Sequence, residues 1–483
     1  MPNSGSRCAT FPPPTSRRKA WALPGSGFCG RRFRGPRGGR SGGLCCPFGF
    51  PGGGVAGARR GGSGAGGALG PVAATLQIGK GALQPNDAAE PVPFEGAQSY
   101  FTFSPELGSL TFDSLSVDSA WGSGSAEGTA YLEAADGRLS SLIGQFTLTD
   151  LSLNPRELYE TPLEIARATA DIRLELNPFR VRLGEMYVED RDGALRLAGQ
   201  FDAGETGWRL DLDGQMDRLT PERLVELWPP RAAPKPRDWV ARNVAGGTLR
   251  DISFAFRRRP DSTPDIYADF GFEDAGLTFL KTMPPISGAE GQATLIDQRL
   301  VILATRGEVQ PDQGGPIDIS GTSFIVPDTG IKREAPSVTR LAAEGEITSF
   351  LSLLDREPLE VMKKTPLPVD MARGRAALTG TLSLPMKDKV PFDEIAFHFS
   401  GTVSDVETDV LIPKHTIAAP SLTVRGDQTE VEVSGDGEID GIPASATWVQ
   451  PIGEGGPFPS RVEGTVELSE RLIDTFNIGL PEG

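Results

Sequence analysis

Cysteine and histidine are scarce in this 483-residue sequence. It has two histidines, His398 and His415, and its four cysteines all lie in the first 46 residues. Zinc sites and catalytic Cys–His or Ser–His–Asp groups need such residues at matching spacings. The sequence therefore argues against an enzyme, and it predicts no cofactor and no metal site. The four cysteines are Cys8, Cys29, Cys45 and Cys46.

Long apolar runs are also missing. The longest apolar stretch near the start, Leu69 to Ile78, is far short of the roughly 20 residues that cross a bilayer. No basic region followed by an apolar core marks a secretory signal peptide. Neither a transmembrane anchor nor a signal peptide is therefore visible in this sequence.

Acidic residues are absent until Asp87. Residues 1–86 carry 12 basic and no acidic groups, so the rest of the chain carries 36 basic and 64 acidic groups, a net charge of −28. Phosphate backbones are bound by clustered Lys and Arg, so this acidic body argues against nucleic acid as a partner. It also argues against adsorption of the body, lying flat, onto an anionic lipid leaflet.

Residues 1–75 form a Gly/Arg-rich segment of low complexity, predicted to be disordered. Three interpretations compete: an Arg-rich targeting peptide, an RNA-binding Gly/Arg tail, or upstream sequence translated in error. The abrupt change of composition near residue 72 favours the third.

Apolar and polar residues alternate through the rest of the chain, as in Ile172–Leu176, Trp208–Leu212 and Ile395–Phe399. A period of two gives each strand one apolar and one polar face. Asp- and Gly-containing turns such as 135–138 separate these runs and predict hairpins. The predicted fold is mainly β: a long curled antiparallel sheet of repeated hairpins, open like a trough, with a few short helices.

Glycines recur at the ends of these runs, as in Leu197-Ala-Gly199 and Phe399-Ser-Gly401. Such a glycine indicates a bulge, a bend or a close approach of two backbones, and repeated bends would curl the sheet. The alternative is that they are ordinary strand-end glycines.

Short helices are predicted near 220–245, 349–363 and 469–477. Thr220 and Pro221 provide a capping residue and a proline at the first helical position. The predicted organisation is a β-rich block at 76–228, a helical connector at 229–247 and a second β-rich block at 248–483.

The connector carries a resemblance to a known family. Leu227-Trp228-Pro229, Arg237-Asp-Trp239-Val240 and Gly246-Gly247 follow one another in the order seen in the AsmA-like superfamily. The chain is most similar to the YhdP-like branch and more distantly to TamB. Further segments, 283–291 and 350–359, resemble later parts of the same architecture, and the resemblance spans about 107–483.

This resemblance implies a β-groove with an apolar inner face, anchored in the inner membrane and extending through the periplasm of Gram-negative bacteria. Such proteins are implicated in moving phospholipid towards the outer membrane. The phospholipid acyl chains would be the ligand, while protein partners at either membrane stay unidentified. The anchor helix is missing here and the chain stops at Gly483, so we expect a mis-started, truncated piece of a longer protein.

Alternating residues provide the candidate lining of such a groove. Their neighbours Arg173, Glu175, Arg196, Asp211 and Asp318 would face the other side. The alternative function is a structural or interaction scaffold, a β-sandwich or adhesin-like protein whose apolar side chains fill a closed core. The predicted lining residues are Leu174, Leu197, Leu210, Phe254, Phe256, Phe270, Leu303, Ile319, Phe397, Phe399 and Val433.

Removal of residues 1–70 should leave the melting temperature of the chain unchanged, because this composition cannot bury enough apolar surface to dock on a fold. Thermal unfolding of the full and shortened chains compares them directly. A drop of several degrees in the shortened chain would show that the segment packs against the sheet.

Overall fold

The computed structural model of this chain describes residues 58–60, 70–357, 359–364, 367–387, 390–452 and 460–476. They form one antiparallel sheet with a few short helices, which confirms the predicted fold class. Most of the low-complexity segment 1–75 lies outside the described residues. Within this segment the structure does describe a short strand, Ala58–Arg60, which pairs with the strand Val72–Ile78, so these residues belong to the sheet and not to a disordered segment.

The strands of the sheet and the helices have the following bounds. The strands are β1 (Ala58–Arg60), β2 (Val72–Ile78), β3 (Gly81–Leu83), β4 (Val92–Ser104), β5 (Ser109–Ser119), β6 (Gly122–Ala135), β7 (Arg138–Leu153), β8 (Leu163–Leu176), β9 (Phe179–Glu189), β10 (Ala194–Gly204), β11 (Gly207–Leu219), β12 (Val244–Ala245), β13 (Thr248–Arg258), β14 (Asp265–Leu277), β15 (Ile286–Ile296), β16 (Arg299–Val309), β17 (Ile317–Asp318), β18 (Ser323–Val326), β19 (Pro336–Glu346), β20 (Arg373–Pro385), β21 (Ala396–Ile412), β22 (His415–Asp427), β23 (Glu430–Ile439), β24 (Ile442–Pro451) and β25 (Arg461–Val466). The helices are α1 (Pro221–Leu227), α2 (Pro234–Asn243), α3 (Ile347–Leu354) and α4 (Glu470–Phe476), with single 3₁₀ turns at Pro155–Glu157, Met362–Lys364 and Phe392–Glu394.

Successive strands pair with one another, so the sheet is an up-and-down meander. Three short pairs (β2–β3, β12–β13 and β17–β18) each line up against the same neighbour and act as single interrupted strands. β11 pairs directly with β13, so the sheet continues across the predicted connector 229–247. The connector thus leaves the sheet at the end of β11 and returns to it at β12.

Several connections are the tight hairpins that the sequence predicts. Asp136 and Gly137 both have positive φ, +52° and +73°, which is the backbone of a type I′ turn. Asp297 and Gln298 adopt the same combination between β15 and β16. Since type I′ turns match the twist of the flanking strands, these turns fix the register of each hairpin.

Four aspartates with positive φ, Asp150, Asp251, Asp274 and Asp405, lie at β-bulges where the strand register shifts by one residue. Asp tolerates this left-handed conformation better than most residues. Bulges bend a strand and increase its twist. Aspartates therefore provide many of the bends that the sequence analysis assigned to glycine.

All four helices lie at the same end of the strands, and we call this border of the sheet the helix edge. α1 and α2 connect β11 to β12, α3 connects β19 to β20, and α4 follows β25; these strands all run in the same direction. The predicted helices are confirmed, although the third is shorter than predicted, because α3 ends at Leu354. Leu353 and Phe350 of α3 pack on a small core of Val309, Ile317, Ile319 and Ala343.

An acidic turn between β9 and β10 holds α1 to the sheet. Thr220 caps α1 by accepting a hydrogen bond from Arg223 N, while its own N–H and hydroxyl donate to Asp192 at 2.8 and 2.5 Å. Asp190 accepts hydrogen bonds from the Arg223 guanidinium. Burial raises the pKa of Asp192, but the Thr220 hydrogen bonds and nearby arginines outweigh it and lower the pKa below its usual value.

Replacement of Asp192 with Ala should lower the free energy of unfolding at pH 7 by about 1–3 kcal/mol, because the Thr220 donors lose a partly buried acceptor. The folded-state pKa of Asp192 is depressed, so this contribution is complete above about pH 4, near the unfolded pKa. It is lost as the pH falls through the lower folded-state pKa. Urea unfolding at neutral and acidic pH measures both.

Asp217→Ala is the matched control, since Asp217 is mostly exposed and meets Arg196 at 3.4 Å. Its loss should stay below about 0.5 kcal/mol. Equal losses for the two variants, or a loss at Asp192 that persists in acid, would contradict the assignment.

Candidate functional site

One face of the sheet is apolar over many strands, and strand register determines which side chains it contains. Phe254 lies opposite Gly214 on β11 and Ala268 on β14, and residues paired across antiparallel strands point to the same side. Following such pairs from strand to strand identifies the apolar face. One transverse row of it consists of Phe270, Ala293, Ile302, Phe324, Thr339, Leu382 and Phe397.

Nine of the eleven predicted lining residues lie on this face. The strand pairs link them from β8 to β23 without a break. All nine are half-buried. They are Leu174, Leu197, Leu210, Phe254, Phe256, Phe270, Phe397, Phe399 and Val433.

The other two predicted residues do not belong to the lining. Leu303 lies opposite Gln292 on the polar face and is 40% exposed. Ile319 lies in the interruption between β17 and β18 and is buried in the small core beneath α3. Leu303 belongs to an unbroken apolar run, which does not obey a period of two, so its predicted side is wrong. Ile319 packs on the apolar side against Gly307 and Val309, but α3 covers it.

The opposite face is charged, and its ions are paired along the strands. Arg173 binds Glu133 at 2.8 Å, and Arg196 meets Asp217 at 3.4 Å. Asp211 accepts hydrogen bonds from Arg259 and Gln200, which lower its pKa although burial raises it. The strands that carry the polar residues predicted for this side therefore have two chemically distinct faces. These residues are Arg173, Glu175, Arg196, Asp211 and Asp318.

Half-burial of the apolar face indicates how it is covered. A side chain in a sandwich core lies under a second layer and is almost fully buried. Among the described residues, the largest side chains that are fully buried are only Ile317, Ile442, Val326 and Ser349. The nine lining residues are shielded mainly by neighbours in their own sheet and keep one side accessible.

Aromatic rings lie over glycines on this face. A Cβ added at Gly214 would come within 2.1 Å of the Phe254 ring, and one at Gly291 within 2.6 Å of the Phe272 ring. Phe399 lies over Gly426 in the same way. Because the glycines lack side chains, these rings spread across the neighbouring strand, as in aromatic rescue of strand glycines. These three rings therefore lie along the surface of the apolar face and project little from it, and we call them the aromatic floor.

An aromatic cluster covers the apolar face near β4–β11. Trp121 from the β5–β6 turn contacts Phe201 and Trp208 edge-on, with centroids 5.4 and 6.1 Å apart. Asn86 in the β3–β4 connection donates to the carbonyl oxygens of Ala203 and Gly204, at 3.1 and 3.2 Å. These contacts join the helix edge of β4–β6 to the opposite edge of β10–β11, so the sheet curls over its own apolar face here.

Sequence reasoning missed this cluster and also a row of Phe101, Phe112 and Phe146, whose rings lie about 6 Å apart on the same face. The alternation Phe101-Thr-Phe103 was the available signal for the row. No spacing pattern in the sequence predicts the contact between Trp121 and Trp208, because this contact depends on how far the sheet twists.

The two histidines have different surroundings, and neither is among the nine lining residues. His398 points to the polar side of β21 and is exposed. His415 is part-buried: its Nδ1 lies 2.6 Å from Asp440 and its ring stacks on Phe476 of α4. Within the described part of the chain, no three His, Asp or Glu side chains are grouped closely enough to hold a metal ion.

A polar cavity of about 420 Å³ opens at the helix edge beside α3. Its charged side chains largely neutralise one another: Arg356 forms a bidentate pair with Asp312, at 2.9 and 2.5 Å. Hydrogen bonds from Arg356 lower the pKa of Asp312. The cavity therefore has a solvated rim on which Arg356 and Asp312 neutralise each other.

Comparison of the chain with protein-family models, curated proteins and solved structures found no match. The AsmA-like resemblance thus stays an expectation from the motifs of the sequence. None of the described helices is both long and apolar enough to cross a membrane.

Glycine on the apolar face should be required where backbones approach closely. A Cβ at Gly401 would lie 2.1 Å from the Ala377 carbonyl oxygen and 2.9 Å from Leu378 Cα, both backbone atoms. Gly401→Ala should therefore lower the free energy of unfolding by about 1–3 kcal/mol. Thermal or urea unfolding measures it.

Gly184→Ala is the control, because the nearest atom to its Cβ is 3.5 Å away, at ordinary contact distance. This substitution should change stability by less than about 1 kcal/mol in either direction. A Gly401→Ala protein as stable as the parent chain would contradict the close backbone approach at this position.

Proposed function

We propose that the apolar face binds phospholipid acyl chains and that the chain is a periplasmic segment of a protein that moves phospholipid between the inner and outer membranes. The observation that carries this proposal is the set of nine half-buried apolar residues on one continuous face. An acyl chain needs such a lining and no catalytic group.

The energetic basis is hydrophobic burial. Each methylene removed from water contributes roughly 0.8 kcal/mol, so a lining that runs across successive strands can hold a long chain without any specific contact. Each strand adds about 4.8 Å of path. The row from Phe270 to Phe397 crosses seven strands and contains no charged residue.

The polar face supports the proposal by contrast. Desolvation of a paired charge such as Arg173 or Asp211 is costly, so an acyl chain lying against the sheet would select the apolar side. The aromatic floor over Gly214, Gly291 and Gly426 keeps large rings from standing across the path. The envelope location and the direction of transfer come from the family resemblance alone.

A structural or interaction scaffold is the second candidate function, and a specific observation favours it. At the Trp121–Trp208 cluster the sheet fills its own apolar face, as a closed core would. If similar contacts form along the remaining strands when the chain meets a partner, the face is a packing surface and not a path. The two functions therefore differ in what touches the nine lining residues.

A photo-crosslinking amino acid at Phe254 or Phe397 tests the proposal in cells with an envelope. We expect both positions to capture phospholipid, because their side chains are accessible on the apolar face. Arg196 on the polar face is one control, and Leu303 is a sharper one, since it is apolar and exposed but faces the other way. Capture of protein alone at Phe254 and Phe397 would favour the scaffold.

Phe254→Asp separates a path from a core by a second route. A carboxylate on an accessible face stays hydrated, so the sheet should remain folded while phospholipid capture at Phe397 falls. Circular dichroism and solubility report the fold, and the crosslink reports the lipid. Loss of soluble protein would instead indicate that Phe254 belongs to a closed core.

A further inference from the structure

Helix α2 is the least buried element at the helix edge. None of its residues, Pro234–Asn243, is buried, and Trp239 on its outer side is 44% exposed. An exposed tryptophan on a helix without a covering partner needs a physical explanation.

A neighbouring loop exposes more apolar surface. The backbone N–H of Thr278 donates to the carbonyl oxygen of Asn243 at 2.8 Å, which ties the end of α2 to the β14–β15 connection. The next two residues are Phe279 and Leu280, 41% and 49% exposed. Three large apolar side chains are therefore presented from two adjoining segments.

Cations accompany these side chains. Lys235 and Lys281 are exposed and form no ion pair with any residue that the structure describes. The Arg242 Nε donates to the Asp238 carbonyl oxygen at 3.0 Å, and Arg242 forms no ion pair with a described residue. Together with Trp239, Phe279 and Leu280 these three cations define the α2 patch. It is basic and aromatic although the chain beyond residue 86 carries a net charge of −28.

We propose that the α2 patch docks on the surface of an anionic phospholipid bilayer. Tryptophan favours the boundary between headgroups and acyl chains, because its ring is apolar and its N–H is polar. Lys and Arg beside it are attracted to anionic headgroups, while Phe and Leu insert among the acyl chains. The rest of the acidic body beyond residue 86 is repelled, so contact of the body is limited to this part of the helix edge.

This inference does not depend on the lining of the apolar face. A bilayer can hold the α2 patch whether the sheet carries lipid or serves as a scaffold. A protein partner is the competing occupant; the cations and the tryptophan favour a lipid surface over it, because they match anionic headgroups and the membrane interface.

Vesicle flotation of the full chain tests the proposal. We compare vesicles of phosphatidylcholine alone with vesicles that contain about 30% phosphatidylglycerol, which is enough to charge the surface. Lys235→Glu with Lys281→Glu should weaken binding to the anionic vesicles about tenfold or more. Trp239→Ser with Phe279→Ser should weaken it comparably. The control pair, Ile296→Ser with Ile331→Ser, removes equally exposed apolar side chains from the opposite edge and should leave binding unchanged.

The basic segment 1–86 can bind anionic vesicles by itself, so a local readout is needed as well. Brominated phospholipids quench tryptophan that enters the bilayer. We expect quenching of the full chain to fall when Trp239 is replaced by Phe and to be unchanged when Trp228, a half-buried neighbour, is replaced. Trp448 lies on the apolar face, so loss of quenching in Trp448→Phe would report lipid there and bears only on the proposed function.

Equal quenching in the parent chain and Trp239→Phe would overturn the proposal, whatever segment 1–86 contributes to flotation. Circular dichroism confirms that the variants are folded, which their exposed positions lead us to expect. A patch that binds protein and not lipid would give this same negative result.

Discussion

Strand register is the constraint on which the rest of the structure depends. The side-chain period of a strand is two, so a slip of one residue would move every apolar side chain of that strand to the polar face. The meander keeps the face continuous although many strands contain bulges. At Asp251, for example, the extra residue shifts the pairing, and Leu249 beyond it still lies opposite Phe272. Bends are thereby introduced without an exchange of faces.

A sheet with one half-buried apolar face obtains its stability mainly from neighbouring strands. Each strand contacts the next through hydrogen bonds and cross-strand pairs, as in other architectures whose stability is a sum of nearest-neighbour terms. Among the described residues, two regions have a hydrophobic core beneath a covering layer: the Trp121–Trp208 cluster and the small core beneath α3. The remaining face has apolar surface that a hydrophobic ligand can cover, which is why the fold and the proposed function are linked.

Alternation, turn chemistry and helix caps were enough to predict the antiparallel sheet, the hairpins at Asp136-Gly137 and Asp297, and helix α1 after Thr220. The faces of individual residues were predictable only where the pattern is strict. Leu303 belongs to the unbroken run Leu300–Ala304, in which both faces are apolar and only pairing with β15 decides the side. Ile319 lies between β17 and β18, in a strand interruption that the alternation of apolar and polar residues does not predict. The curl that brings Trp121 to Trp208 depends on twist summed over several strands, and no single segment encodes it.

The occupancy of the apolar face can be measured most directly on the purified chain. Native mass spectrometry, with organic extraction of the same sample, would follow expression of residues 1–483 in a bacterial envelope. The account predicts bound phospholipid that is released on unfolding and reduced in the chain that carries Asp in place of Phe254. A folded chain that carries no lipid above the level of an unrelated β-protein would contradict it.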